Sequence, residues 1–164
     1  MTRFILDASA LGKRYVCEPG TPLVHYLFRE VGVDRMSCLT MGALETFSII
    51  VRSRNRGKLN PQEARDAEAL LRREVVNGGV EKIHPLGSVV LDSAALITRH
   101  HVNSTDAVLL HVSLGLRDVL AADGNALVLV ASDRRLLRAA SAEALTTFDP
   151  ENDDLARLQT LASS

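Results

Sequence analysis

Two apolar runs in this chain stop at acidic residues. Phe4-Ile5-Leu6 ends at Asp7, and Leu127 to Ala131 is followed by Ser132-Asp133. Neither run alternates apolar with polar residues, so both faces of each must be covered, as in a strand inside a parallel sheet. Helix-forming stretches separate the runs, as crossovers between parallel strands require. The pattern predicts an α/β domain with a mostly parallel central sheet covered on both faces. In such sheets ligands collect at the carboxyl ends of the strands, and Asp7 and Asp133 fall at such ends.

Local signals give the order of elements. Strands are predicted at Phe4 to Asp7, Arg35 to Leu39, Val80 to Ile83, Ala126 to Ala131 and, at an edge, Leu145 to Phe148. Helices are predicted over Ala8 to Val16, over Thr21 to Val31 with Thr21 as cap, and from a Thr40 cap to near Gly57. Others follow over Asn60 to Val76, over Ser88 to His101, from Asn103-Ser104-Thr105, and from Ser132 onward. Asn60-Pro61-Gln62-Glu63 reads as a capping box, with Ala64, Ala67, Leu71 and Val75 along one face and Glu68 and Arg72 spaced as an i,i+4 pair. Ala107 to Leu116 is apolar nearly all round, which predicts a central, buried helix. Residues 1–150 read as one domain and 151–164 as an acidic, weakly helical tail.

Hydrophobic residues make up 46% and aromatics 4%, with no Trp, a balance suited to aliphatic helices packed on a sheet. Lys and Arg number 19 against 20 Asp and Glu, so net charge gives no sign of nucleic-acid binding and any basic footprint has to be local. Cys17 and Cys38 form no CxxC pair and read as buried free thiols in a reducing compartment. The first residues read as a strand rather than a signal peptide, and no apolar run approaches membrane-spanning length. The expectation is a cytoplasmic protein with no membrane partner.

Four acids stand where surface acids are unusual: Asp7, Asp133, Asp106 at the head of the apolar helix, and Glu45 within the apolar helix Met41 to Val51. Each has an ordinary structural role available. Asp7 and Asp133 can cap the helices after them, Asp106 can gain from a helix dipole, and Glu45 can pair with Arg52. Gathered together, however, carboxylates repel unless a cation neutralises them, which suggests a metal site. No HExxH or Cys/His spacing occurs, and the adjacent His100 and His101 diverge on a helix, so an all-oxygen site favours Mg²⁺ or Mn²⁺ over zinc. Neither a Walker A loop nor a GxSxG elbow is present, and Ser9 stands where a DxD phosphatase needs its second acid. Asp123 reads as a turn residue, Asp92 as a surface acid, and Asp149, Asp153 and Asp154 as tail residues outside the site.

Asp7-Ala8-Ser9-Ala10-Leu11, Leu44-Glu45, Thr105-Asp106-Ala107 and Ser132-Asp133-Arg134 resemble the successive acidic motifs of PIN-domain nucleases, most of all VapC-type toxins of bacterial toxin–antitoxin pairs. Phe148-Asp149-Pro150-Glu151 is similar to the family's usual close, and the resemblance spans residues 4 to about 150. It implies a PIN-like three-layer α/β/α sandwich whose mostly parallel sheet has about four to five strands. It implies that Asp7, Glu45, Asp106 and Asp133 are the catalytic metal ligands, with Ser9, Thr105 and Ser132 as candidate orienting residues. The implied activity is a divalent-metal-dependent endoribonuclease, in which metal-activated water cleaves RNA to leave a 5′-phosphate and a 3′-hydroxyl. Beside the acids, Arg134, Arg135, Arg138, Lys13 and Arg14, together with the cluster Arg52, Arg54, Arg56 and Lys58, are usually solvated positions that can also hold RNA phosphates. The resemblance further implies a homodimer and a cognate antitoxin that blocks the acidic site. Its partner groove would lie on the helices from Thr21 to Arg56, which carry Leu23, Leu27, Phe28, Phe47 and Ile50. Two alternatives stand beside the toxin: a PIN nuclease of RNA processing, and a catalytically silent PIN-like binding module.

Overall fold

The computed structural model describes residues 1–163. Over them the chain forms a five-stranded, all-parallel sheet in the order β3-β2-β1-β4-β5. The strands are β1 Thr2–Leu6, β2 Met36–Leu39, β3 Glu81–Ile83, β4 Ala126–Val130 and β5 Thr146–Phe148. The helices are α1 Ala8–Leu11, α2 Thr21–Tyr26, α3 Thr40–Asn55, α4 Pro61–Leu71, α5 Gly87–Asp92, α6 Ala94–His100, α7 Ser104–Ala122, α8 Arg134–Ala142 and α9 Leu155–Ser163. The first strand is central, with Phe4 beside Met36 on one side and Val128 on the other.

Alternation along the strands feeds two cores, one on each face. Phe4, Leu6, Met36, Cys38, Val128 and Val130 face a layer built with Ala10, Leu11, Ile50, Leu71 and Leu158. Ile5, Leu39, Leu127 and Leu129 face the other layer, with Leu96, Leu109, Leu110, Leu136 and Ala140. The predicted three-layer α/β/α sandwich is therefore the fold, and its sheet is parallel throughout. Among the described residues, no helix is long and apolar enough to cross a membrane.

The capping box forms as read. Asn60 Oδ1 accepts from the Gln62 and Glu63 amides at 2.8 and 2.9 Å, and Glu63 Oε2 accepts from the Asn60 amide at 2.7 Å. Asn60→Ala is expected to lower stability by about 1 kcal/mol, read as a shifted urea midpoint with an unchanged slope.

Several local expectations are corrected. Thr21 and Thr40 are first helical residues rather than caps; Gly20 and Leu39 hold the cap positions. The Thr21 hydroxyl instead accepts from the Glu18 amide and donates to the Lys13 carbonyl, both at 3.0 Å. Gly20 has φ +88°, and a Cβ there would lie 2.6 Å from the Pro150 carbonyl oxygen. The helix from Asn60 widens into a π turn over Arg72–Val76. Arg72 does not pair with Glu68; its guanidinium lies 4.8 Å above the Phe47 ring. The helix predicted over Ser88 to His101 breaks at Ser93, a buried residue whose hydroxyl donates to the Val90 carbonyl at 2.6 Å. The α7 helix covers one face of the sheet instead of running through the centre, and Val119 on its outer side is 64% exposed. Cys17 is exposed, whereas Cys38 is buried. Residues 151–163 are no loose tail: α9 seats Leu158 fully buried in the first core, with Leu161 packed beside it.

Candidate metal centre

β1 and β4 run side by side in register, with Leu6 beside Val130, so their carboxyl ends emerge together. The Asp7 amide extends this ladder by donating to the Val130 carbonyl at 2.9 Å. Asp7 then caps α1, its Oδ2 accepting from the Ser9 amide at 2.9 Å. Asp133 caps α8, its Oδ1 accepting from the Arg135 and Leu136 amides at 2.7 and 3.1 Å. Capping and ligand roles are compatible here, because each carboxylate keeps a second oxygen. Asp7 Oδ1 and Asp133 Oδ2 meet no hydrogen-bond donor among the described residues.

The other two acids arrive on helices. Glu45 lies in the second turn of α3, directly after β2, and Asp106 lies in the first turn of α7. All four sequence-selected acids line one cavity of about 290 Å³, with Ala8, Ser9, Ile49, Arg52 and Asn103 as the remaining wall. Asp7 and Asp106 are each only 8% exposed.

Burial and crowding push two of the acids, Asp106 and Glu45, toward their neutral forms. The Asp106 carboxyl is pushed up to about 7, first by burial and then by the charges of Asp7, Asp133 and Glu45. Glu45 is raised by burial and by Asp7, against the opposing pull of the Thr105 hydroxyl and of Arg52. The structural alternative for Glu45, an ion pair with Arg52, does not form among the described residues, and Arg52 acts on Glu45 only as a nearby charge. The donor set suits a hard divalent cation, since every ionisable oxygen in the wall is a carboxylate and neither His nor Cys lines it. The acids share the cavity without closing on a point: among the described residues, no three His, Cys, Asp or Glu side chains form a ready-made ligand cluster.

Of the three helper residues, Ser9 and Thr105 each hydrogen-bond one of the acids, Asp7 and Glu45 respectively. Ser9 holds Asp7 through its backbone amide, while its hydroxyl accepts from the Ser132 amide at 2.9 Å and so ties the two strand ends together. Among the described residues the buried Ser132 hydroxyl has no hydrogen-bond partner, and it makes no bond to any of the four acids. Asn103, not Thr105, caps α7, its Oδ1 accepting from the Asp106 amide at 2.8 Å. The sequence marked Asn103 only as a helix start; its place just ahead of Asp106 was the available signal.

Arg14 is not at the site. Glu74 holds it through contacts of 2.6 and 3.1 Å, and it lies 5.0 Å above the Phe28 ring. Arg134 is exposed at the head of α8 but does not line the acidic cavity. Asp92 and Asp123 are surface residues, and Asp149 accepts from the Glu151 amide within its own turn. Of the five apolar residues on the Thr21 to Arg56 helices, Leu27 and Ile50 are fully buried, and Leu23, Phe28 and Phe47 pack partly exposed against the same core.

No protein-family model matches the chain, and no curated protein matches it. Among solved structures, PAE2754 from Pyrobaculum aerophilum is similar over 100% of both chains, with a TM-score of 0.63 and 19% sequence identity. The likeness is one of fold. It extends over the whole of both chains, α9 included, in keeping with the packing of that helix on the first core.

Proposed function

We propose that this protein is a divalent-metal-dependent endoribonuclease of the PIN type, acting as the toxin of a toxin–antitoxin pair. One observation carries the reading: Asp7, Glu45, Asp106 and Asp133, distant in sequence, line a single recessed cavity at the carboxyl edge of the sheet. The order of the acidic motifs, which resembles that of PIN nucleases, supplies the reaction class. Asp7 through Oδ1, Asp133 through Oδ2, Asp106 and Glu45 are the groups that would hold Mg²⁺ or Mn²⁺. When bound, such an ion lowers the pKa of its water and stabilises charge on the leaving oxygen of a phosphodiester. The chain's own part is positional. The Ser9, Arg135 and Leu136 amides fix one oxygen of each capping aspartate and so aim the other into the cavity. Thr105 and Arg52 favour the ionised form of Glu45, partly offsetting burial and the charge of Asp7.

The test is incubation of total cellular RNA with purified protein, in Mn²⁺ or in EDTA. Discrete fragments carrying 5′-phosphates in the Mn²⁺ lane alone are the expected result. Intact RNA in both lanes, together with no Mn²⁺ binding by calorimetry, would leave a silent binding module. Overexpression separates the toxin from an RNA-processing enzyme, because a toxin arrests growth and its antitoxin restores it. Self-association belongs to the same proposal. It is supported by an open apolar surface lined by Leu86, Val89, Leu116 and Val119, with Leu86 72% exposed.

A further inference from the structure

A second cavity, of about 320 Å³, opens beside the acidic one and shares Ser9, Ile49, Arg52 and Asp133 with it. Its further walls carry Lys13, Arg56 and Lys58 opposite Glu18 and Glu151. These cations are unequally engaged. Lys13 is 2% exposed and held by Glu151 at 2.5 Å and Glu18 at 3.9 Å; that is a structural pair, since parting a buried amine from its carboxylate is strongly unfavourable. Lys58 is exposed and pairs with Glu18 at 2.9 Å. Arg52 and Arg56 are exposed and make no ion pair among the described residues. They stand one helical turn apart on the side of α3 that carries Glu45, about 10 and 16 Å along the axis from that acid.

Charge along α3 therefore runs in a set order: an acid in the recess, then two unpaired arginines, then a lysine whose carboxylate partner is exchangeable. A cluster of carboxylates repels a polyanion, so attraction has to come from flanking cations that contact phosphates without reading bases. We propose that this groove is the track for the phosphates next to the scissile one in single-stranded RNA. Arg52 and Arg56 are its direct contacts, and Glu18 is a placeholder carboxylate that a phosphate displaces from Lys58. A line of contacts on one helix matches one flexible strand, whereas a duplex presents phosphates from two strands across a groove. The proposal rests on the nuclease reading and says where its substrate lies.

The test is fluorescence anisotropy of a short labelled oligoribonucleotide with the full chain, in EDTA, over a salt series. For single strands, each phosphate contact contributes about 0.7 to the slope of log affinity against log salt. The Arg52→Ala/Arg56→Ala double variant is expected to flatten the slope by about 1.4, which corresponds to an affinity change of roughly sevenfold across a fourfold change in salt. Glu18→Gln should bind more tightly than wild type at low salt. Arg65→Ala, which removes an exposed cation of α4 outside both cavities, should leave slope and affinity unchanged. A double variant with the wild-type slope, or an equal loss in Arg65→Ala, overturns the track. If wild type cleaves RNA while the double variant binds like wild type, the track alone is wrong. If wild type neither binds nor cleaves RNA, the nuclease reading falls and the track with it.

Discussion

Asp106→Asn is expected to lower metal-dependent RNA cleavage by a factor on the order of 10³, while the fold stays as stable as wild type or becomes more so. Losing an anionic ligand removes several kcal/mol of transition-state stabilisation, and each 1.36 kcal/mol is about tenfold in rate. Stability moves the other way because burial, and then the charges of Asp7, Asp133 and Glu45, disfavour the ionised form of Asp106. The amide keeps the shape of the side chain and removes the repulsion. An initial-rate assay in Mn²⁺ and a thermal melt of the same sample in EDTA read the two effects. Cleavage that survives in the variant would sink the metal-site reading, and a large fall in Tm would mean that the Asp106 carboxylate has a structural role instead.

Without divalent metal, the protein should lose stability as pH rises from about 4 to about 7, and metal should restore it at the upper end. The Asp106 carboxyl is raised from 3.8 to about 7 in the folded chain. Below the unfolded value both states hold the proton and there is no penalty. Between the two values only the unfolded chain releases it. Above about 7 both are ionised and the folded state carries the whole cost of burying the charge beside the other acids, roughly 4 kcal/mol. Glu45 is raised as well and adds in the same direction. Glu143 is lowered by hydrogen bonds to His100 and Arg99; its contribution is lost as pH falls through its folded value, so it opposes the trend only at the acid end. Urea melts of wild type and Asp106→Asn at pH 5 and pH 8 isolate the aspartate's share. Mn²⁺ at 100 times its Kd should add about 2.7 kcal/mol at pH 8, and far less at pH 5, where it competes with a proton. An equal Mn²⁺ shift at both values would mean that the ion binds somewhere else.

The layered fold was legible because Phe4 to Leu6 and Leu127 to Ala131 are apolar without alternation, and only a strand covered on both faces uses such runs. The acids were legible for the same reason: Asp7 and Asp133 interrupt hydrophobic continuity, and the sheet registers Leu6 against Val130. Arg14 was not legible, because its fate depends on Glu74, which comes from a helix 60 residues away. Thr21 and Thr40 look like caps in sequence, yet their hydroxyls are used by Lys13, Glu18 and Ile83, partners that only the tertiary fold supplies. The closing helix was hidden by composition: Asp153 and Asp154 dominate its approach, while Leu158 alone is fully buried. Arg52 was visible as a charge, but its place in the wall between two cavities follows from how α3 crosses the sheet edge.

The central strand of this sheet precedes the other four in sequence. While the chain is being made, β1 has only β2 and β3 on one flank; Val128, the neighbour of Phe4 on the other flank, follows most of the sequence later. Pairings of such sequence separation form late and slowly. A nascent chain in which only β1 to β3 have formed therefore holds Asp7 and Glu45 without Asp106 or Asp133. Asp133 reaches them only when β4 docks, so the four acids cannot assemble until β4 and α8 have been made.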